Sequence, residues 1–78
     1  MFEVRIMNKN ILIKFGDRVK EERLKRGLSQ EDLAVKASVH RTYIGMIERA
    51  EKNITLLNIA KIANALELGI NELLSFPK

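Results

Sequence analysis

The chain contains no cysteine, one histidine and one proline, and that proline is the penultimate residue, Pro77. Without cysteine there is neither a disulfide framework nor a thiolate metal site, and the composition fits a reducing compartment such as the cytoplasm. With proline confined to the end, nothing inside the chain forbids helices. No stretch approaches the roughly 18 consecutive apolar residues of a membrane span, and the N-terminus lacks the basic-then-apolar layout of a secretory signal. The lone His40 has no second imidazole, and there are no paired carboxylates placed around a cleft and no glycine-rich phosphate loop. Catalysis is therefore excluded, a metal site fails for want of companion ligands, and no cofactor or small-molecule ligand is expected.

What is present makes one small all-α unit. In 78 residues, of which 46% are hydrophobic, a second core would leave each half too short to bury enough apolar surface. The net charge of +4 points to an anionic partner, although a solvated helix surface with the same scatter of acids and bases would carry a similar balance.

Residues 1–9 read as a frayed N-terminal tail. Met1 to Asn8 alternates like a short strand but has no pairing partner, and Met7 is an alternative start. Residues 10–78 form the domain. Leu12, Phe15 and Val19 recur at helical spacing between Asn10 and Arg26, with Gly27 as the left-handed stop. One more turn of that stripe lands on Glu22 and Arg23, so a charged group should sit at the edge of the core and need a partner there. Ser29 caps a second helix from Gln30 to Ala37, with Asp32 completing a weaker form of the capping box. Only Ser38, Val39 and His40 separate it from a third helix, a connection short enough to make a helix-turn-helix. Thr55 caps a fourth helix whose inner face is Leu56, Ile59, Ile62, Ala63 and Leu66. Gly69 caps a short fifth helix in "INELLSF".

The third helix carries two faces. At 100° per residue, Arg41, Thr42, Gly45, Met46 and Arg49 fall within a sector of roughly 140°, while Ile44, Ile47 and Glu48 fall opposite. Arg and Thr near the N-terminus of a helix anchored from behind by isoleucine suit the DNA major groove, where the arginine fork bonds both acceptors of a guanine edge. A solvated amphipathic helix shares this pattern. Glu48, on the inner face, would be costly unpaired, and Arg23 is its natural partner.

With those residues in place, "RLKRGLSQEDLAVKASVHRTYIGMIERAEKNITLLNIAKIANALELGINELL" resembles the Cro and phage-repressor (XRE-like) helix-turn-helix regulators, over helix one to helix five. Within that family, "HRTYI", "IER" and "KNITLLNIAKIANAL" are most similar to the controller proteins of restriction-modification systems. The resemblance implies a five-helix lambda-repressor-like fold and a small dimer that regulates its own promoter. It implies base contacts from Arg41 and Thr42, with His40 and Met46 at neighbouring base-touching positions. It implies phosphate contacts from Gln30, Tyr43, Arg49, Lys52 and Asn53, and a structural ion pair of Arg23 with Glu48. Two positions depart from the family pattern. Ser38 stands in the turn, and Ala50 at the end of the third helix, where many members carry glycine. Alanine at 50 predicts a helix one residue longer and a shifted Lys52 and Asn53.

One reading helix covers too few base pairs to find a site in a genome, so a homodimer on a roughly palindromic double-stranded operator is expected. Ile70, Leu73, Leu74 and Phe76 are the candidate dimer contact, the alternative being that Ile70 and Leu73 belong to the core. RNA polymerase is a further partner if the protein activates, though no motif marks that contact. Two other functions compete: an antitoxin that binds a toxin protein and represses its operon, and a bridging domain that binds only proteins.

Overall fold

Five helices and no strand make up the described residues: α1 (Phe2–Lys25), α2 (Gln30–Ala37), α3 (Arg41–Glu48), α4 (Leu56–Ala65) and α5 (Ile70–Leu73). The computed structural model describes residues 2–76, with side chains from Asn10 onward. Helix α1 therefore starts at Phe2 and not at Asn10, so neither a frayed tail nor a strand describes the backbone of residues 2–9. The physical reason is local: no proline or glycine precedes Gly16, and the backbone ladder continues toward the N-terminus without a break.

The starts of α2 and α4 are closed as their sequences dictate. The Ser29 hydroxyl accepts from the Asp32 N–H at 2.9 Å, and the Asp32 carboxylate accepts from the Ser29 N–H at 3.0 Å. That backbone bond from Ser29 holds the Asp32 carboxyl below its usual range. Thr55 caps α4 by accepting from the Asn58 N–H at 3.2 Å.

The helix ends share one device. At the ends of α1, α2, α3 and α4 the chain makes paired backbone bonds, as in Leu28 N–H to Arg23 O with Gly27 N–H to Leu24 O, around a residue of positive φ. Only α1 supplies glycine for it, at Gly27. Ser38, Ala50 and Glu67 adopt φ of 58°, 60° and 60°, a left-handed conformation that costs an L residue about 1–2 kcal/mol. Ala50 thus takes the glycine position and leaves α3 ending at Glu48, contrary to the longer helix expected from its side chain. The paired bonds from Ala50 N–H to Ile47 O and Glu51 N–H to Met46 O satisfy carbonyls that a longer helix would leave to the next turn.

The core joins all five helices through Phe15 and Val19 of α1, Leu33, Ala34 and Ala37 of α2, Ile44 and Ile47 of α3, Ile62, Ala63 and Leu66 at α4, and Leu73 of α5. Leu56 is a correction to the expected inner face. It stands 69% exposed in the first turn of α4, at the edge of the stripe, where no helix lies over it. Leu73 is a second correction. It is fully buried within the protomer and so is not available as a dimer contact, whereas Ile70 is exposed and Leu74 and Phe76 are half-buried against the core.

Candidate nucleic-acid interface

Helix α3 is fixed from behind before it offers anything to a partner. Ile44 and Ile47 are buried, and at their level α1 approaches through Gly16. A methyl group on Gly16 would stand 2.5 Å from the Ile47 carbonyl oxygen, so this helix contact exists only because residue 16 has no side chain.

Beside that contact lies the ion pair expected from the sequence. Arg23 Nε donates to Glu48 Oε2 at 2.7 Å and Nη2 donates to Oε1 at 3.1 Å, while Nη1 donates to the Leu28 carbonyl at 2.9 Å. The remaining Glu48 capacity takes the Gln30 side-chain amide at 3.1 Å. Arg23 and Glu48 are both nearly buried, so all the guanidinium nitrogens and both carboxylate oxygens are engaged where water is scarce. The bond to Glu48 raises the already high pKa of Arg23, so this cation persists wherever the fold does.

With the back secured, Arg41 and Thr42 are left exposed on the first turn of α3. Gln30, Glu31, Arg41, Thr42, Gly45 and Arg49 line one open cleft between the start of α2 and the length of α3. In that cleft Arg41 Nη1 is 3.7 Å from Glu31 Oε1, and Arg49 Nε is 3.1 Å from Glu51 Oε2. Both are exposed pairs of little net strength, open to displacement by a competing acceptor. Gly45 is the floor: a methyl group there would meet Arg49 Nη1 at 3.1 Å and Gln30 Oε1 at 3.4 Å.

The other expected contacts lie outside the cleft. His40 is the N-cap of α3, an exposed residue whose Nδ1 accepts from the Thr42 N–H at 3.1 Å. Met46 is half-buried. Tyr43 is half-buried too, and its oxygen accepts from Asn58 Nδ2 at 3.0 Å, which leaves the phenol proton free to donate. Lys52 is exposed on the loop after α3, and Asn53 borders an apolar groove with Ile54, Leu74 and Phe76.

Gln30, one of the expected phosphate contacts, has one amide hydrogen committed to Glu48 and one to spare. Two residues that shape this site, His40 as a cap and Asn58, carry no signal of that role in the sequence, and a third, Gly16, carries only a weak one. A mid-helix glycine, which weakens a helix by about 0.5–1 kcal/mol relative to alanine, was the only hint of the close approach at Gly16.

A helix-turn-helix family model matches residues 19–73. Over 71 residues the chain is 46% identical to the control protein C.BamHI of Bacillus amyloliquefaciens, a match that spans 90% of this chain and 88% of that one. Its fold superposes on the restriction-modification controller protein C.AhdI from Aeromonas hydrophila with a TM-score of 0.78 at 47% identity, over 80% of this chain and 94% of that one. It also superposes on SinR, the master regulator for biofilm formation, solved in complex with DNA, with a TM-score of 0.74 at 32% identity, over 78% and 98% of the two chains.

Proposed function

The chain belongs to the helix-turn-helix family, and from that membership we propose that it is a transcriptional regulator, not an enzyme, that binds operator DNA as a homodimer and controls a restriction-modification operon including its own gene. The observation that carries this reading is the pairing of an exposed Arg41 and Thr42 with a buried, ion-paired rear face on the same eight-residue helix. A helix so held presents its side chains to the major groove without first paying to order itself.

Arg41 reads a guanine edge and Thr42 a neighbouring base, with His40 Nε2 and Met46 at the margins of the same footprint. Gln30, Tyr43, Arg49, Lys52 and Asn53 grip phosphates on either side, and their contribution is register and affinity more than sequence. Ile70, Leu74 and Phe76 supply the contact between protomers, so that two copies of α3 enter successive major grooves about one helical turn apart. A regulator of operator DNA works where the chromosome is, which places it in the cytoplasm. Contact with RNA polymerase accompanies this role where the bound dimer activates. An antitoxin role is not favoured, since the relatives at 46% and 47% identity are controller proteins.

The test is a gel shift on the DNA upstream of the protein's own gene at two salt concentrations. Binding that is selective for that DNA and weakens steeply with salt is expected. Equal affinity for scrambled duplex, or no retarded species, would remove the reading.

A further inference from the structure

We propose that Arg18 is a positioning residue that sets the distance between the two reading helices of the dimer, an inference that rests on the homodimer reading above. Its basis is a second buried ionic centre, one residue along α1 from the Arg23 pair. Glu22 is only 5% exposed. It accepts from Arg18 Nη1 at 2.6 Å, Arg26 Nη1 at 2.7 Å and Lys25 Nζ at 3.4 Å. The other terminal nitrogen of Arg18, Nη2, reaches across to α5 and donates to the Glu72 carbonyl at 3.0 Å.

Neighbouring residues of α1 therefore hold two different helices. Arg23 holds α3, which reads, and Glu22 through Arg18 holds α5, whose Ile70 lies in the proposed contact between protomers. Four residues are too few for α5 to be stable alone, so its orientation is imposed from outside. Burial of Leu73 draws it inward but is non-directional, and the Glu72 carboxylate closes only its own first turn, at the Gly69 N–H, 2.8 Å away. The Arg18 fork is the directional tie to the rest of the molecule.

Two details set this arginine apart from a stabilising surface pair. Its Nε is buried without a hydrogen-bond partner, a cost accepted while both terminal nitrogens are aimed at named acceptors. Glu22, moreover, keeps Arg26 and Lys25 when Arg18 is removed, so the carboxylate stays compensated and the tie to α5 is what is lost.

On a duplex this tie decides spacing. One extra base pair between half-sites displaces the second by about 3.4 Å and turns it by about 35°, which a dimer with rigidly held contact helices cannot follow. The experiment uses full-length protein and a labelled duplex carrying the two half-sites that the wild type enriches from a random-sequence pool. Anisotropy titrations compare the enriched spacing with one base pair more and one fewer, and competition against base-substituted half-sites measures base preference. The wild type should prefer its own spacing by roughly tenfold or more. Arg18→Met, which keeps an apolar stem but no donor, should bring the three spacings within about threefold while base preference stays as in the wild type. Should Arg18→Met fail to fold, Arg18→Gln is measured in the same way. A folded variant that discriminates spacings as the wild type does would overturn the proposal, and so would the unfolding of both variants, which would make Arg18 a general stabilising residue. If wild-type protein enriches no DNA, it is the regulator reading that fails.

Discussion

Arg23 and Glu48 meet as a two-pronged pair, 2.7 and 3.1 Å across 25 residues of sequence, and the pair is the joint between α1 and α3. Replacing either partner strands a charge in a nearly dry site, so Arg23→Met or Glu48→Leu alone should cost about 3–5 kcal/mol in urea denaturation. The combination Arg23→Met with Glu48→Leu should recover most of that loss. A double variant as unstable as the worse single one would show that hydrogen bonds to Leu28 and Gln30, and not the charge balance, hold the joint.

Gly16→Ala ought to raise helix propensity by about 0.5–1 kcal/mol yet destabilise the protein by about 1–3 kcal/mol net, because the methyl group meets the Ile47 carbonyl oxygen. Thermal and chemical denaturation of the variant decide the sign. A stabilised Gly16→Ala would mean that α1 can stand further from α3 at no cost.

Ala50→Gly should have the opposite effect. Relieving a left-handed alanine at φ 60° gains about 1–2 kcal/mol, of which the greater freedom of glycine in the unfolded chain takes back about 0.4–1. A net gain of about 1 kcal/mol is expected from the urea midpoint at unchanged slope.

Arg41 and Lys52 should separate sequence reading from phosphate grip. Arg41→Ala is expected to cost about 1–3 kcal/mol on the specific site and to relax base preference in competition with scrambled duplex. Lys52→Ala should weaken all duplexes alike and flatten the log–log salt dependence by about 0.9. Discrimination left intact by Arg41→Ala would remove that residue from the reading face.

Acid should loosen the α1 end of the molecule. The Arg26 hydrogen bond, against the opposing effect of burial and with help from Arg18 and Lys25, holds the Glu22 carboxyl below its usual 4.5. A carboxylate depressed in the folded state stabilises it above the unfolded value and withdraws that stability as pH falls through the lower, folded one. Stability from Glu22 should thus be full at neutral pH and decline below about pH 4.5. In Glu22→Gln that part of the acid slope should disappear, as followed by denaturation between pH 7 and pH 3.

The caps, the turn and the ion pair were legible because each is written locally or as a conspicuous misfit. Ser29 and Thr55 stand ahead of apolar runs, and a carboxylate at position 48 falls among isoleucines. Leu56 falls outside the core, and Leu73 falls inside it where the sequence left core and dimer contact open, because a helical stripe says which residues share a face but not where along its length another helix covers it. The extent of α1 was missed for a related reason: alternation over Met1 to Asn8 has a period of two, while its backbone followed the uninterrupted ladder from Phe2. The closeness at Gly16 and the bond from Asn58 to Tyr43 depend on pairs of helices meeting, and no window along one helix contains both sides of a meeting.

The Tyr43–Asn58 bond has its own consequence for how such a protein can change. It clasps α3 to the first turn of α4, so both ends of the intervening segment are anchored without help from the segment itself. Extra residues inserted between Ala50 and Asn53 would lengthen a loop whose ends are already closed, at about 0.6 kcal/mol per doubling of length. Under the proposed function, that loop is the place where new backbone-gripping residues can be acquired while the alphabet recognised by α3 stays the same.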